Sequence, residues 1–475
     1  MVVAITPAQP RGSKMADELW RRTAIELAAL ISNREVSSRE VVTSHLERIA
    51  AVNGKVNAVT VTLADDALAA ADAADRRSPQ GPLHGVPFTI KENIDCVGSA
   101  TTQGLAMFAA ALPPEDAPVV ARMKAAGAIP LARTNLPEMG LRISTNNALR
   151  GCTNNPWNLD LVAGGSSGGE GAALASGMTP FGLGNDIGGS LRNPAYCCGI
   201  TSLKPTTGRI PLAWCAAPAM GIAFRLMAVE GPMARSVADL RLGLSILAGW
   251  HARDPFSVPA PLQGPAVAKR AALVTALPGT TLPAATVAAV ERAGAALAAA
   301  GWTVDTVTPP EIDAINHTWG QILAADVADM LPALASIMSA GPVMAMEQLV
   351  ARFGGAALRG NERFVERDRL AQAWSRLFLD WPLVIGPIWT DLPFRHDEDL
   401  DPHTGLDTTL SRLRFITPGN LLGIPAVAVP TGIVDGLPTG VQVYAERWRE
   451  DLCLEGAAVI EAACGAITPI DPVQR

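Results

Sequence analysis

The sequence predicts an α/β fold: one large layered domain with helices packed against a mainly parallel β-sheet. Three observations predict it. From residue 85 onward, short apolar runs bounded by glycine or proline alternate with longer stretches of helical period, the pattern of strand–helix–strand units. Hydrophobic residues make up 49% of the 475 and charged residues only 17%, enough apolar material for a large buried core. No internal repeat or long low-complexity tract interrupts the chain.

The first dozen residues read as frayed. Residues 17–32 read as an amphipathic helix, with Leu19, Ala24, Leu27, Leu30 and Ile31 on one stripe. Ser37-Ser38-Arg39-Glu40 fits a capping box for a second helix through Ile49, and the alanine-rich stretch 61–77 reads as a third. No Gly/Ser linker follows this helical start, so it is expected to pack on the core. Then come a strand at 86–90, a helix at 117–126, a strand at 128–132 and a helix at 170–176. Beyond the proline-rich stretch 257–265, strand, helix and strand are expected at 271–276, 284–299 and 303–307. Residues 316–379 read as mostly helical, 383–388, 426–429 and 440–444 as late strands, and 452–464 as a closing helix.

Composition excludes several function classes. A net charge of −7 argues against nucleic acid or an anionic membrane as the main partner, and two tyrosines among few aromatics offer no stacking platform for single strands. Seven scattered cysteines, an odd number with no Cys-x-x-Cys, read as reduced, mostly buried thiols; a redox pairing of adjacent Cys197 and Cys198 is the weaker reading. No basic segment followed by an apolar run opens the chain, and no window holds eighteen uninterrupted apolar residues. A cytoplasmic enzyme without membrane contact is the expectation.

Two small-residue clusters carry the chemistry: Gly164-Gly165-Ser166-Ser167-Gly168-Gly169 and Asp186-Ile187-Gly188-Gly189-Ser190. Serine hardly ionises at neutral pH, so as a nucleophile it needs a base in reach and donors where the oxyanion forms. Glycines before Ser190 let the N–H groups of Ile187, Gly188, Gly189 and Ser190 converge on one small volume. One such donor is worth about 3 kcal/mol in the transition state. No histidine lies between His84 and His251, but Lys91 ends an apolar run, Gly85 to Lys91. Burial lowers a lysine by roughly 3 units from its reference near 10.4, which brings it close to working pH. Ser166, able to donate and accept at once, bridges Ser190 and Lys91. Taken singly, each cluster is more often a flexible loop and a strand-ending lysine is usually solvated; the combination carries the signal. Gly164-x-Ser166-x-Gly168 also matches the nucleophile elbow of α/β-hydrolases, with His251, His317, His396 and His403 downstream, but that reading leaves Lys91 and the second cluster without roles. A phosphate loop is excluded because Glu170 follows Gly169 where Lys is required. The set needs no metal and no cofactor.

These residues resemble the amidase signature family. The block GGSSGGEGAALASGMTPFGLGNDIGGSLRNPAYCCGITSLKP, residues 164–205, is similar to the family's glycine/serine block nearly throughout. Gly85-Val86-Pro87-x-x-x-Lys91-x-Asn93 resembles its lysine motif; Thr134-Asn135-x-Pro137-Glu138 and Asn155-Pro156-Trp157 also match. So do Pro418-Gly419-Asn420 through Gly440-Val441-Gln442, and Arg447-Trp448-Arg449-Glu450-Asp451. Residues 257–414 are the least recognisable. The resemblance implies one α/β/α domain around a twisted mixed sheet. Residues 1–80 would form a helical segment packed on the core, 81–255 the catalytic core, and 256–475 a variable central segment with the completion of the same domain.

The resemblance also implies roles. Ser190 would be the acylated nucleophile, Ser166 a bridging serine after a cis peptide bond, Lys91 the base, and the N–H groups of Ile187 to Ser190 the oxyanion hole. Asp186 and Arg192 would pair structurally. Asn185 stands where Thr or Ser is common, and Asn193 where some members carry an arginine for an anionic substrate, which disfavours a dicarboxylic monoamide. Met139, Gly140, Gly164 and Gly165 are expected at the substrate, with Trp214, Phe224, Trp319 and Trp389 as candidate pocket walls. The implied reaction is hydrolysis of a carboxylic acid amide to the acid and ammonia or amine through an acyl-enzyme. A neutral aryl or alkyl amide is expected, indoleacetamide-type compounds being one candidate, with the protein a homodimer. The alternative is the glutaminase subunit of a tRNA-dependent amidotransferase.

Overall fold

A computed structural model describes residues 18–217, 219–354 and 360–473. The expected frayed segment at 1–12 lies outside the described residues. An eleven-stranded sheet runs through the molecule. In chain order its strands are β1 (Val59–Thr62), β2 (Pro87–Lys91), β3 (Ile129–Thr134), β4 (Phe181–Asp186), β5 (Thr201–Lys204), β6 (Val229–Ala234), β7 (Arg270–Leu273), β8 (Thr303–Thr306), β9 (Leu383–Pro387), β10 (Ala426–Val434) and β11 (Leu437–Tyr444). Their spatial order is β1-β3-β2-β4-β6-β5-β10-β11-β9-β7-β8.

The sheet is mixed, which corrects the mainly parallel sheet read from the strand–helix alternation. β2 lies parallel to β3 and β4, and β7 parallel to β8 and β9. β6 runs antiparallel to both β4 and β5, and β10 antiparallel to β5 and β11. The strands missing from the sequence reading are β1, β4, β5 and β6. β4 (FGLGND) and β6 (VEGPMA) carry glycine or proline and no β-branched run, so propensity gives no sign of them.

Two apolar clusters cover the faces. One gathers Leu174, Trp319, Ile322, Trp374 and Phe415; the other gathers Phe88, Ile90, Leu183, Leu240, Val290 and Ile460. The helical start differs from expectation in two places. Leu19–Arg21 is a 3-10 turn, and the helix begins at Ala24 because Thr23 and Glu26 form a reciprocal capping box. Val61 and Thr62, read as the opening of a helix, belong instead to the edge strand β1, where Val and Thr alternate over 59–62; the helix is Ala64–Asp75. The box at Ser37 and Glu40 opens the helix Ser38–Val56 as read.

Candidate active site

The site lies where β2 and β4 end. Lys91 is the last residue of β2, and Asn185 and Asp186 are the last two of its parallel neighbour β4. Ligand crevices of open α/β sheets form at such carboxyl ends. Ser166 and Ser167 precede the helix Gly168–Ala175, and Ser190 sits in the turn between β4 and the helix Arg192–Cys198. The Gly165–Ser166 peptide bond is cis. The backbone N–H of Ser167 donates to the Ser190 carbonyl at 3.2 Å, so the two serine loops touch.

Lys91 has no exposed surface. Its Nζ lies 2.7 Å from Ser166 Oγ and 2.6 Å from Asn185 Oδ1. Burial pushes its pKa down to about 7, against the opposing pull of Asp186, Glu170 and Glu230. An amide oxygen only accepts, so Asn185 fixes one N–H of the amine and leaves the lone pair of the neutral form for the Ser166 hydroxyl. Asn185 is itself oriented by donating to Asn93 Oδ1 at 3.0 Å. The sequence marked Asn185 only as a departure from a pattern; its position against Lys91 becomes visible once β2 and β4 are known to be neighbours.

The turn 186–191 is locked from beneath. Asp186 accepts from the Gly189 N–H at 2.7 Å, from Leu191 N–H and from Arg192. Burial raises the Asp186 carboxyl, but the Arg192 guanidinium more than offsets this and holds it at about 2. Arg192 also reaches Gln442, Tyr444 and Asn420, tying the turn to the late strands. Gly189 has φ +93°, and a Cβ there would sit 2.4 Å from Asn193 Oδ1. Its N–H, spent on Asp186, differs from the expectation that four consecutive amides converge. Asp186, Ile187, Gly188 and Ser190 are the turn residues that line the cavities.

Two cavities meet at Gly140, Leu141, Ile187 and Ser190. The larger, about 260 Å³, also has Ser166, Asn185, Met139, Trp214, Phe224 and Met330 in its wall. The smaller, about 100 Å³, is walled by Gly188, Trp319, Leu323, Met346 and Leu410, with Arg142 and Asp399 paired to each other at 2.8 Å. The expected substrate contacts therefore divide. Met139 and Gly140 line the cavities, whereas Gly164 and Gly165 line neither. A Cβ on Gly164 would lie 2.8 Å from the Asn193 and Pro194 backbone, and one on Gly165 2.7 Å from Arg142 O, so these two are packing positions. Trp214, Phe224 and Trp319 are wall residues; Trp389 is not, since its indole N–H donates to Asn193 Oδ1 at 2.8 Å in the core. The histidines available to the elbow reading are engaged elsewhere: His396 lies against Cys152, His317 against Phe353, His251 in a bridge with Asp254, and His403 in an exposed turn with Asp401. Cys197 and Cys198 are buried, and burial raises both thiols.

The family model described as Amidase matches residues 40–454. The chain belongs to the amidase family. This amidase is 38% identical to an indoleacetamide hydrolase of Bradyrhizobium diazoefficiens over 94% of its own length and 88% of that protein's. It is 32% identical to a glutamyl-tRNA(Gln) amidotransferase subunit of Salinispora arenicola, over 95% of this chain and 99% of that one. Among solved structures it superposes on 6-aminohexanoate cyclic dimer hydrolase bound to substrate with a TM-score of 0.84, at 29% identity, covering 96% of this chain and 99% of that chain. The amidase is thus an amide-hydrolysing enzyme of α/β architecture, and among its described residues no helix is long and apolar enough to cross a membrane.

Proposed function

We propose that this amidase hydrolyses a neutral aryl or alkyl carboxamide, with an indoleacetamide-type compound as the leading substrate, through Ser190, Ser166 and Lys91. The observation that carries the reading is the buried Lys91 amine, held near pKa 7 and 2.7 Å from Ser166 Oγ. Ser190 Oγ attacks the amide carbon as its proton passes to Ser166, whose own proton moves to Lys91 Nζ. The oxyanion rests on backbone N–H groups of Ile187, Gly188 and Ser190, since that of Gly189 is spent on Asp186. As the C–N bond breaks, the relay runs backwards and the leaving nitrogen takes the proton, giving ammonia or an amine and an ester on Ser190. Water, activated by the same amine, then releases the acid.

The substrate class rests on the walls. Both cavities have Trp, Met and Leu in their walls, the larger adds Phe, and the smaller one's Arg142 and Asp399 satisfy each other. A free charge on the substrate finds no unpaired partner among these wall residues. The relative named indoleacetamide hydrolase supports an arylalkyl acyl group. The glutaminase reading is supported by the amidotransferase relative, and it requires a site for the charged α-amino and α-carboxylate groups of glutamine. We place the enzyme in the cytoplasm, where its seven free thiols stay reduced, and take it to be a homodimer.

The test is ammonia release by the purified chain from a panel holding indole-3-acetamide, phenylacetamide, aliphatic amides and glutamine. Turnover of the neutral arylalkyl amides, lost in Ser190→Ala, is expected. Preference for glutamine would install the second reading, and near-normal turnover by Ser190→Ala would remove the mechanism.

A further inference from the structure

Glu230 is the second residue of β6 and pairs directly with Asn185 of β4. Directly opposed residues of an antiparallel pair project on the same side of the sheet, their Cβ atoms about 4.5–5.5 Å apart. Asn185 in turn holds the Lys91 amine. Glu230 is 1% exposed, and neither of its oxygens makes a hydrogen bond of normal geometry. The indole N–H of Trp214 is close enough to moderate the Glu230 carboxyl, yet it too lacks a partner at bonding geometry. Glu170, the other buried acid near Lys91, is different: its two oxygens accept from Thr89 and Thr134 hydroxyls at 2.6 and 2.8 Å. A carboxyl buried without donors is costly to ionise, and an amide or apolar side chain would occupy the same space at lower cost. Its placement one side chain from a base lysine's acceptor points to a function.

We propose that Glu230 is a positioning residue of the Ser–Ser–Lys relay, a carboxyl set beside Asn185 so that its charge state controls how firmly Lys91 is held neutral. The inference rests on Lys91 acting as the base. The other charges facing Lys91 are Asp186 and Glu170; those facing Glu230 are Asp95, Asp254 and Lys91 itself. Burial pushes Glu230 up to about 8. While it keeps its proton, it adds no negative charge to the lysine's surroundings. As it ionises, it favours the ammonium form, and the rise of activity with pH is drawn out upward. Glutamine copies the protonated acid in shape and never ionises.

The experiment measures Glu230→Gln against wild type in two ways: the pH profile of kcat/KM for an amide substrate, and the pH dependence of covalent labelling of Ser190 by a fluorophosphonate probe, located by mass spectrometry. In both, the ascending limb is expected to move to lower pH by ~0.5 unit or more, with KM changed by less than about twofold. One unit below the wild-type midpoint this reads as a rate roughly threefold nearer its plateau. Glu230→Met, also uncharged, is expected to give the same displacement and serves if the glutamine variant is not recovered folded. Reduced activity with an unmoved midpoint, or a change in KM alone, would overturn the proposal and leave Glu230 a structural residue. Absence of probe on Ser190 in the wild-type protein would instead sink the reading beneath it.

Discussion

Lys91 is where the fold works against itself. The unfolded chain holds the lysine proton up to about pH 10.5, whereas the folded protein gives it up near 7. Between those values the unfolded state binds more protons, so this residue's contribution to stability rises with pH, and at neutral pH the fold bears a cost on the order of 4 kcal/mol. Lys91→Met removes that cost along with the base. We expect its thermal midpoint to exceed wild type at pH 7, with the advantage shrinking towards pH 10, while amide turnover falls by roughly three orders of magnitude or more. Calorimetry beside an ammonia assay checks both. A variant both less stable at pH 7 and inactive would mean that the amine's bonds to Ser166 and Asn185 outweigh its burial. Wild-type kcat/KM is expected to fall about tenfold per pH unit below 7, because only the neutral amine accepts the Ser166 proton.

At the scale of elements, the turn 186–191 and the helix Ile312–Leu334 act together. Trp319 of that helix donates its indole N–H to the Ile187 carbonyl at 3.0 Å, and a Cβ on Gly188 would meet its ring at 2.8 Å. The helix thereby sets the height of the turn that presents Ser190. Trp319→Phe keeps the wall and loses the bond; kcat is expected to drop about 10–100-fold with KM nearly unchanged, since oxyanion donors act on the transition state. A rise in KM alone would reduce Trp319 to a wall. The two serine clusters and Lys91 were legible in the sequence because their chemistry is local: glycines beside a hydroxyl, an amine ending an apolar run. The bond of Trp319 to the turn, that of Asn185 to Lys91 and the place of Glu230 were not, although Trp319 was read as a pocket wall, because each contact is with a neighbour 132, 94 or 45 residues away in sequence. Strand β4 was missed for the same reason: FGLGND carries no strand propensity and is held by β2 and β6 on either side.

Among the described residues, two carboxyls and two amines of the polar interior are shifted by burial toward their uncharged forms. Burial pushes Glu170 and Glu230 up to about 8, and Lys91 and Lys204 down to about 7. The polar interior they share is crossed by the Arg192 network, which joins β4 to β11 and so couples the middle of the chain to its end. The sequence predicted one α/β domain but not this wiring, since Arg192, Gln442 and Tyr444 become neighbours only through the strand order β5-β10-β11. The wiring has a consequence for stability that a surface-charged protein would not show. An acid whose folded pKa is raised is protonated when folded and ionised when unfolded between its two values. For Glu170 that window runs from 4.5 to about 8, and there its contribution to stability falls as pH rises, by about 1 kcal/mol per unit. Glu170→Gln keeps an acceptor for Thr89 or Thr134 and removes the titration. Its stability relative to wild type is therefore expected to climb from pH 5 to pH 8 and to level off above, as read by denaturant unfolding at each pH. A difference that stayed flat over that range would mean that Glu170 is ionised inside the fold, and that the buried charge near Lys91 is an anion the amine must answer by staying protonated.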